Sequence, residues 1–142
     1  MSGIQSLDQR RASHAWEQLQ IFLKATGGNT PDHQKLRAKY GVHARKLPMR
    51  IMASGLGQAL AFLLAKNYCP DLLLALGDWV LAKREDSSRK VPGLEPKTLL
   101  HELIGRDSEF AQLATAEVLA YLRWMTRFVE AEKLTTLDVE ES

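Results

Sequence analysis

Apolar residues recur at helical spacing along most of the chain, and no stretch alternates apolar and polar over a strand length. Ser6 followed by Gln9 makes a capping-box signature, after which Ala12, Trp16, Leu19 and Leu23 form a helical stripe that Gly27-Gly28 stops. Thr30-Pro31 opens a second predicted helix, with Thr30 as N-cap and Pro31 in the first helical position. Gly41 is expected to end or bend it.

The third segment, KLPMRIMASGLGQALAFLLAK, is the most apolar. Pro48 suits its first turn, and Met49, Met52, Leu56, Ala59, Leu60 and Leu63 form its expected buried stripe. Roughly opposite run Lys46, Arg50, Ser54, Gly57 and Ala61, small residues headed by two cations. Glycines inside a helix cost about 1 kcal/mol each relative to alanine. Gly55 and Gly57 therefore point to close approach by another backbone.

Pro70-Asp71 starts a leucine-rich helix reaching about Arg84, with Leu72, Leu76, Trp79 and Val80 on its buried side. Residues 85–95 lack periodicity and read as an exposed, mobile loop. Pro96 begins a short helix ending at Gly105. Asp107 or Ser108 then caps the last and longest helix, whose inner stripe is Ala111, Val118, Leu122, Met125 and Val129. Residues 135–142 form an acidic tail, expected to fray. The predicted fold is all-α: one compact domain over residues 1–142, a bundle of five or six helices with short connections between antiparallel neighbours.

Composition agrees. A chain of 142 residues, 45% hydrophobic and 25% charged, builds a core without disulfides or a structural metal. Its longest strictly apolar run, from Ala59 to Ala65, falls far short of the ~20 residues that span a bilayer. The N-terminal MSGIQSLDQRR has no apolar signal region, and the single cysteine, Cys69, fits a reducing cytoplasm.

Charge changes the picture more. The net charge of +2 divides into ten Lys/Arg against three Asp/Glu in residues 1–66 and nine against fourteen in residues 67–142. No acidic residue lies between Asp32 and Asp71, a window holding Lys35, Arg37, Lys39, Arg45, Lys46, Arg50 and Lys66. Solvated helices usually intersperse both signs and gain i,i+4 pairs. Without counter-charges, these cations read as reserved for an external anion, and contacts to phosphate give affinity without reading sequence. A second pair, Arg123 and Arg127, lies on the last helix, where Glu130 can pair with Arg127. Aromatic residues are sparse in the basic window, which argues against base-by-base stacking.

No catalytic constellation emerges. His14, His33, His43 and His101 have no helical-spacing partner that would complete a metal site, and no cofactor is expected. The Gly55-Leu56-Gly57 run lacks a preceding strand and a GK[ST] ending, so it reads as packing. Cys69 reads as inert, and Glu117 as a core glutamate bonded to a neighbour. The alternative reading is a small helical DNA-binding regulator, whose recognition helix would need exposed base readers near its start. The apolar third segment does not supply them, and DHQKLRAKY is short for the task.

The third segment resembles the signature of the small subunit of the type III-B CRISPR effector, the Cmr RNA-silencing complex. The likeness rests on Leu47-Pro48, Ile51, Gly55-Leu56-Gly57, Leu60-Ala61-Phe62 and Lys66. Glu117, Tyr121-Leu122, Trp124 and Arg127 match the family's last helix, and LDQRRASHAWEQL is similar to its opening helix. Residues 25–40, 67–110 and the acidic tail carry little of the likeness.

The resemblance implies an all-α, non-catalytic subunit that stacks with further copies of itself as an inner filament. That filament lies beside the backbone subunits holding the guide RNA and lines the groove where target RNA pairs. RNA cleavage belongs to the backbone subunits. Gly55, Leu56 and Gly57 match the motif as packing residues, as do Leu47, Pro48, Ile51, Phe62 and Trp124. Arg45, Lys46, Arg50 and Lys66 lie in or beside it, in reach of phosphates. Lys35, Arg37 and Lys39 are candidates on charge alone. A surface without base readers suits a protein that leaves sequence choice to guide pairing, and unlike charge in the two halves suits head-to-tail stacking.

Overall fold

The computed structural model describes residues 4–134, which form six α-helices and one π-helical turn, with no strand among the described residues. The helices are α1 (Leu7–Ala25), α2 (Pro31–Ser54), α3 (Leu56–Lys66), α4 (Pro70–Asp78), α5 (Thr98–Gly105) and α6 (Ser108–Ala131), and the π turn Trp79–Lys83 continues α4. Among the described residues no helix is long and apolar enough to cross a membrane. Residues 135–142, the acidic segment, lie outside the described residues.

Local capping sets the starts. The Ser6 hydroxyl accepts from the Gln9 N–H at 3.1 Å while the Gln9 side chain accepts from the Ser6 N–H at 2.8 Å, completing the capping box. Thr30 caps α2 through the His33 N–H at 3.2 Å, and Asp107 caps α6 through the Phe110 N–H at 3.0 Å.

The two 24-residue helices, α2 and α6, pack against each other and α1 packs on α6, so one apolar core runs between them. Leu19 and Phe22 of α1, Tyr40, Leu47 and Ile51 of α2, and Val118, Leu122 and Met125 of α6 meet there. Helices α3 and α4 close it with Leu60, Leu63, Leu72 and Leu76. Along α1 the buried stripe is Ala15, Leu19 and Phe22, and Trp16 stays 42% exposed, edge-on to Phe128 at 5.1 Å.

The middle of the chain departs from the sequence reading. Gly41 neither ends nor bends α2, and Pro48 lies inside that helix rather than in the first turn of another. Tyr40, Ala44, Leu47 and Ile51 all face the core, and their burial outweighs the hydrogen bond that Pro48 forfeits.

The break falls at Gly55. Its φ of 86° lies in the left-handed region that favours glycine, and it turns the chain from α2 into α3. The expected single stripe is therefore cut. Leu56, Ala59, Leu60 and Leu63 are buried, whereas Met49 and Met52 are 77% and 76% exposed.

Close backbone approach occurs at Gly41, not at Gly55 or Gly57. A Cβ on Gly41 would sit 2.7 Å from the Leu134 Cβ, while one on either of the other two would meet nothing within 4 Å.

Candidate nucleic-acid interface

Lys35, Lys39, Lys46 and Arg50 follow one another at intervals of four, seven and four residues, so they share one side of α2. Because α2 is continuous through Gly41 and Pro48, the stripe is unbroken. Lys35 and Lys46 are exposed, and Lys39 and Arg50 are half-buried. Arg45 is exposed on another part of the same outward face, and Lys66 is exposed in the last turn of α3.

Aromatic residues from the next helix and its exit turn back this stripe. Asn67 takes the left-handed conformation at the end of α3, and the Tyr68 N–H bonds back to the Leu63 carbonyl at 2.9 Å, which turns Tyr68 toward α2. Tyr68 stacks on the buried ring of His43, with centroids 4.3 Å apart. Lys39 Nζ lies 5.2 Å from the Tyr68 ring centroid, and the Arg50 guanidinium 4.8 Å from that of Phe62. Arg50 Nη1 also lies 3.1 Å from His43 Nδ1. Half of the cationic stripe is thus fixed by ring contacts, and Phe62, 39% exposed, extends it with an aromatic surface. The sparse aromatics of the basic window concealed this, because Phe62 and Tyr68 reach α2 only through the corner at Gly55.

Cys69 closes the same region. Its φ of 50° is left-handed, its Sγ donates to the Lys39 carbonyl at 3.2 Å, and burial pushes its thiol up to about 12. At neutral pH it is a protonated, unreactive filler.

Other predicted residues lie apart. Arg37 turns away from the stripe, and its guanidinium donates to the carbonyls of Thr26 and Gly28, the latter at 3.0 Å. It fastens the connection between α1 and α2. Arg123 and Arg127 line a separate groove of ≈ 790 Å³ with Arg11, Asp8, Pro48 and Trp124. Arg127 pairs with Glu130 at 3.0 Å, and the groove carries its own carboxylate, Asp8, bonded to Arg11 at 3.1 Å. Leu47, Ile51 and Leu56 of the signature are core residues, whereas Gly55 and Gly57 form the corner and first turn of α3.

A buried polar cluster lies between α1, the π turn and α6, of which the sequence reading singled out Glu117 alone as a bonded core residue. Arg11 forks onto Glu117 at 3.0 and 2.7 Å, and the Trp79 indole donates to the same carboxylate at 2.9 Å. His14 bridges the Tyr121 hydroxyl and Asp78, each at 2.8 Å, and Lys83 bonds Asp78 at 3.1 Å. Burial would raise Glu117, but its bonds from Arg11 and Trp79 outweigh burial and hold it below the usual carboxylate range. Burial pulls His14 below its ordinary value, against the pull of Asp78. The partners of His14 lie 64 and 107 residues away, so no local spacing announces them.

The structure therefore defines a small all-α protein with a cationic stripe along one side of α2. Residues 7–132 match the family model of the CRISPR-associated protein Cas_Cmr5. The fold is similar to the crystal structure of a CRISPR-associated Cmr5 family protein from Thermus thermophilus. The TM-score is 0.62 and the identity 26%, over 89% of this chain and 97% of that one. The chain belongs to the Cmr5 family, which makes it a small accessory subunit associated with a Cmr-type CRISPR defence complex.

Proposed function

We propose that the chain is a non-catalytic subunit that contacts RNA phosphates through the cationic stripe of α2. It acts in the cytoplasm as a single domain stacked head to tail with further copies of itself, beside the backbone subunit that holds guide and target RNA. The observation that carries this reading is the stripe itself: Lys35, Lys39, Lys46 and Arg50 on one side of an unbroken helix, in a sequence window without a carboxylate. A surface of this kind binds a backbone and leaves sequence to base pairing. The excess of cations in residues 1–66 and of carboxylates in residues 67–142 supports the stacking.

Arg50 holds Phe62 and His43, so reversing its charge would disturb packing as well as binding. Lys35 and Lys46 are the better pair, being exposed on the same stripe. In an assembled complex carrying K35E/K46E, target-RNA capture falls while the thermal midpoint of the isolated subunit is unchanged. Unchanged capture would overturn the assignment. The family match favours this reading over a DNA-binding regulator. A sequence-specific footprint on promoter DNA would reverse that preference.

A further inference from the structure

We propose that Phe62 is a stacking platform for one unpaired base of a single-stranded RNA and that Lys66 takes the phosphate beside that base, an assignment that rests on the RNA reading above.

Helix α3 buries one side and leaves an aromatic ring on the other. Leu56, Ala59, Leu60 and Leu63 are buried, whereas Phe62 is 39% exposed and so forgoes much of the burial that a core position would supply. Gln58 and Lys66, four residues before and after Phe62, share its side of the helix, and both are exposed. Ala61 and Ala65 beside the ring are too short to cover it. Helix α3 carries no carboxylate.

The ring is held in place. The Arg50 guanidinium lies over it, 4.8 Å from the centroid, and Tyr68 meets it edge-on with centroids 6.2 Å apart and planes at 68°. Tyr68 is itself buried and stacked on His43. Arg50 occupies one face of the phenyl ring and leaves the opposite face for a base. A ring fixed in this way loses little freedom when a base settles on it.

Every base has a π-face, so stacking on a single ring tolerates any sequence. Bases inside a duplex already stack on one another, and only an unpaired base can lie on Phe62. Lys66 stands about 6 Å further along the helix axis, and its flexible four-carbon stem carries the ammonium to the neighbouring phosphate. An aromatic ring set between an amide and an ammonium, in an acid-free window, suits a nucleotide, which brings a flat apolar base and a negative charge together. The centre of a protein–protein contact is instead depleted of lysine.

The test uses the full chain at low salt with an oligouridylate, an abasic strand of the same length and charge, and a duplex. F62L should weaken oligouridylate binding by about tenfold and leave abasic and duplex binding unchanged, while F62Y binds as the unsubstituted chain does. K66Q should weaken all three and make the dependence of log K on log salt shallower by about 0.7 for the single strands. Irradiation of a 5-iodouridine strand should cross-link to Phe62, located by mass spectrometry. Equal losses for the oligouridylate and the abasic strand in F62L would overturn stacking, because the ring would then act only by holding Arg50. Unchanged oligouridylate binding in F62L would also overturn it, and the phosphate reading would still stand if K35E/K46E weakened binding. If F62L instead impaired assembly of the complex with oligouridylate binding intact, the ring would be a protein contact. No binding of any strand would overturn the stacking and the RNA reading together.

Discussion

Glu117 takes three hydrogen bonds in a nearly closed site, two from Arg11 and one from the Trp79 indole. Removing one member of a buried pair strands the other, which costs about 3–5 kcal/mol. E117A should lose stability of that order in urea unfolding, and a loss below about 1 kcal/mol would mean the pair behaves as a surface one. His14 gives a pH signature. Its folded pKa lies below the ordinary value of 6.5, so the unfolded chain takes up the proton first as pH falls. The stability due to neutral His14 is complete above pH 6.5 and lost progressively below it. Glu117, held low, adds stability present above pH 4.5 and lost as pH falls further. Urea midpoints measured from pH 8 to pH 5 should therefore fall more steeply in the unsubstituted chain than in H14Q. Coincident profiles would contradict the burial argument. At this scale the sequence was informative where the chemistry was local. The bland readings of Cys69 and Glu117 match the structure, but Glu117 as the partner of Arg11, and Asp78 and Tyr121 as those of His14, lie 64 to 107 residues away and left no trace in spacing.

Among the elements, the ends of helices were the most legible. Ser6, Thr30 and Asp107 cap as their side chains suggest, because a cap is decided within four residues. The interior of the signature was not legible. Gly41 and Pro48 both resemble helix ends, yet core contacts on either side carry α2 through them, and the real corner is the positive φ of Gly55. Shifting the break from Gly41 to Gly55 changes which side chains are inside, so Met49 and Met52 emerge where burial was expected. Three glycine substitutions separate the two readings. G57A should stabilise the fold by about 0.4–1 kcal/mol, since its side chain meets open space in a helical position. G55A should destabilise by about 1–2 kcal/mol through its left-handed backbone. G41A should cost about 1–3 kcal/mol through collision with Leu134. Equal effects at positions 41 and 57 in thermal or urea unfolding would contradict this assignment of the close contact.

For the molecule as a whole, net charge is a poor guide and its distribution a good one. The sum of +2 conceals a cationic helix stripe, and that stripe was visible in the sequence as an acid-free window. The three-dimensional arrangement divides the window's cations by role. Lys35 and Lys46 are exposed to solvent, Lys39 and Arg50 lean on rings, and Arg37 holds a turn. Such a surface gives binding that weakens steeply with salt, because each phosphate contact releases counterions. The measurement that bears most directly on the central claim is the affinity of the assembled complex for target RNA across a salt series, with K35E/K46E compared with the unsubstituted subunit. The stripe as a phosphate-binding surface requires weaker binding and a shallower dependence of log K on log salt, by about 0.7 for each lost single-strand contact. Identical affinity and identical slope would contradict it.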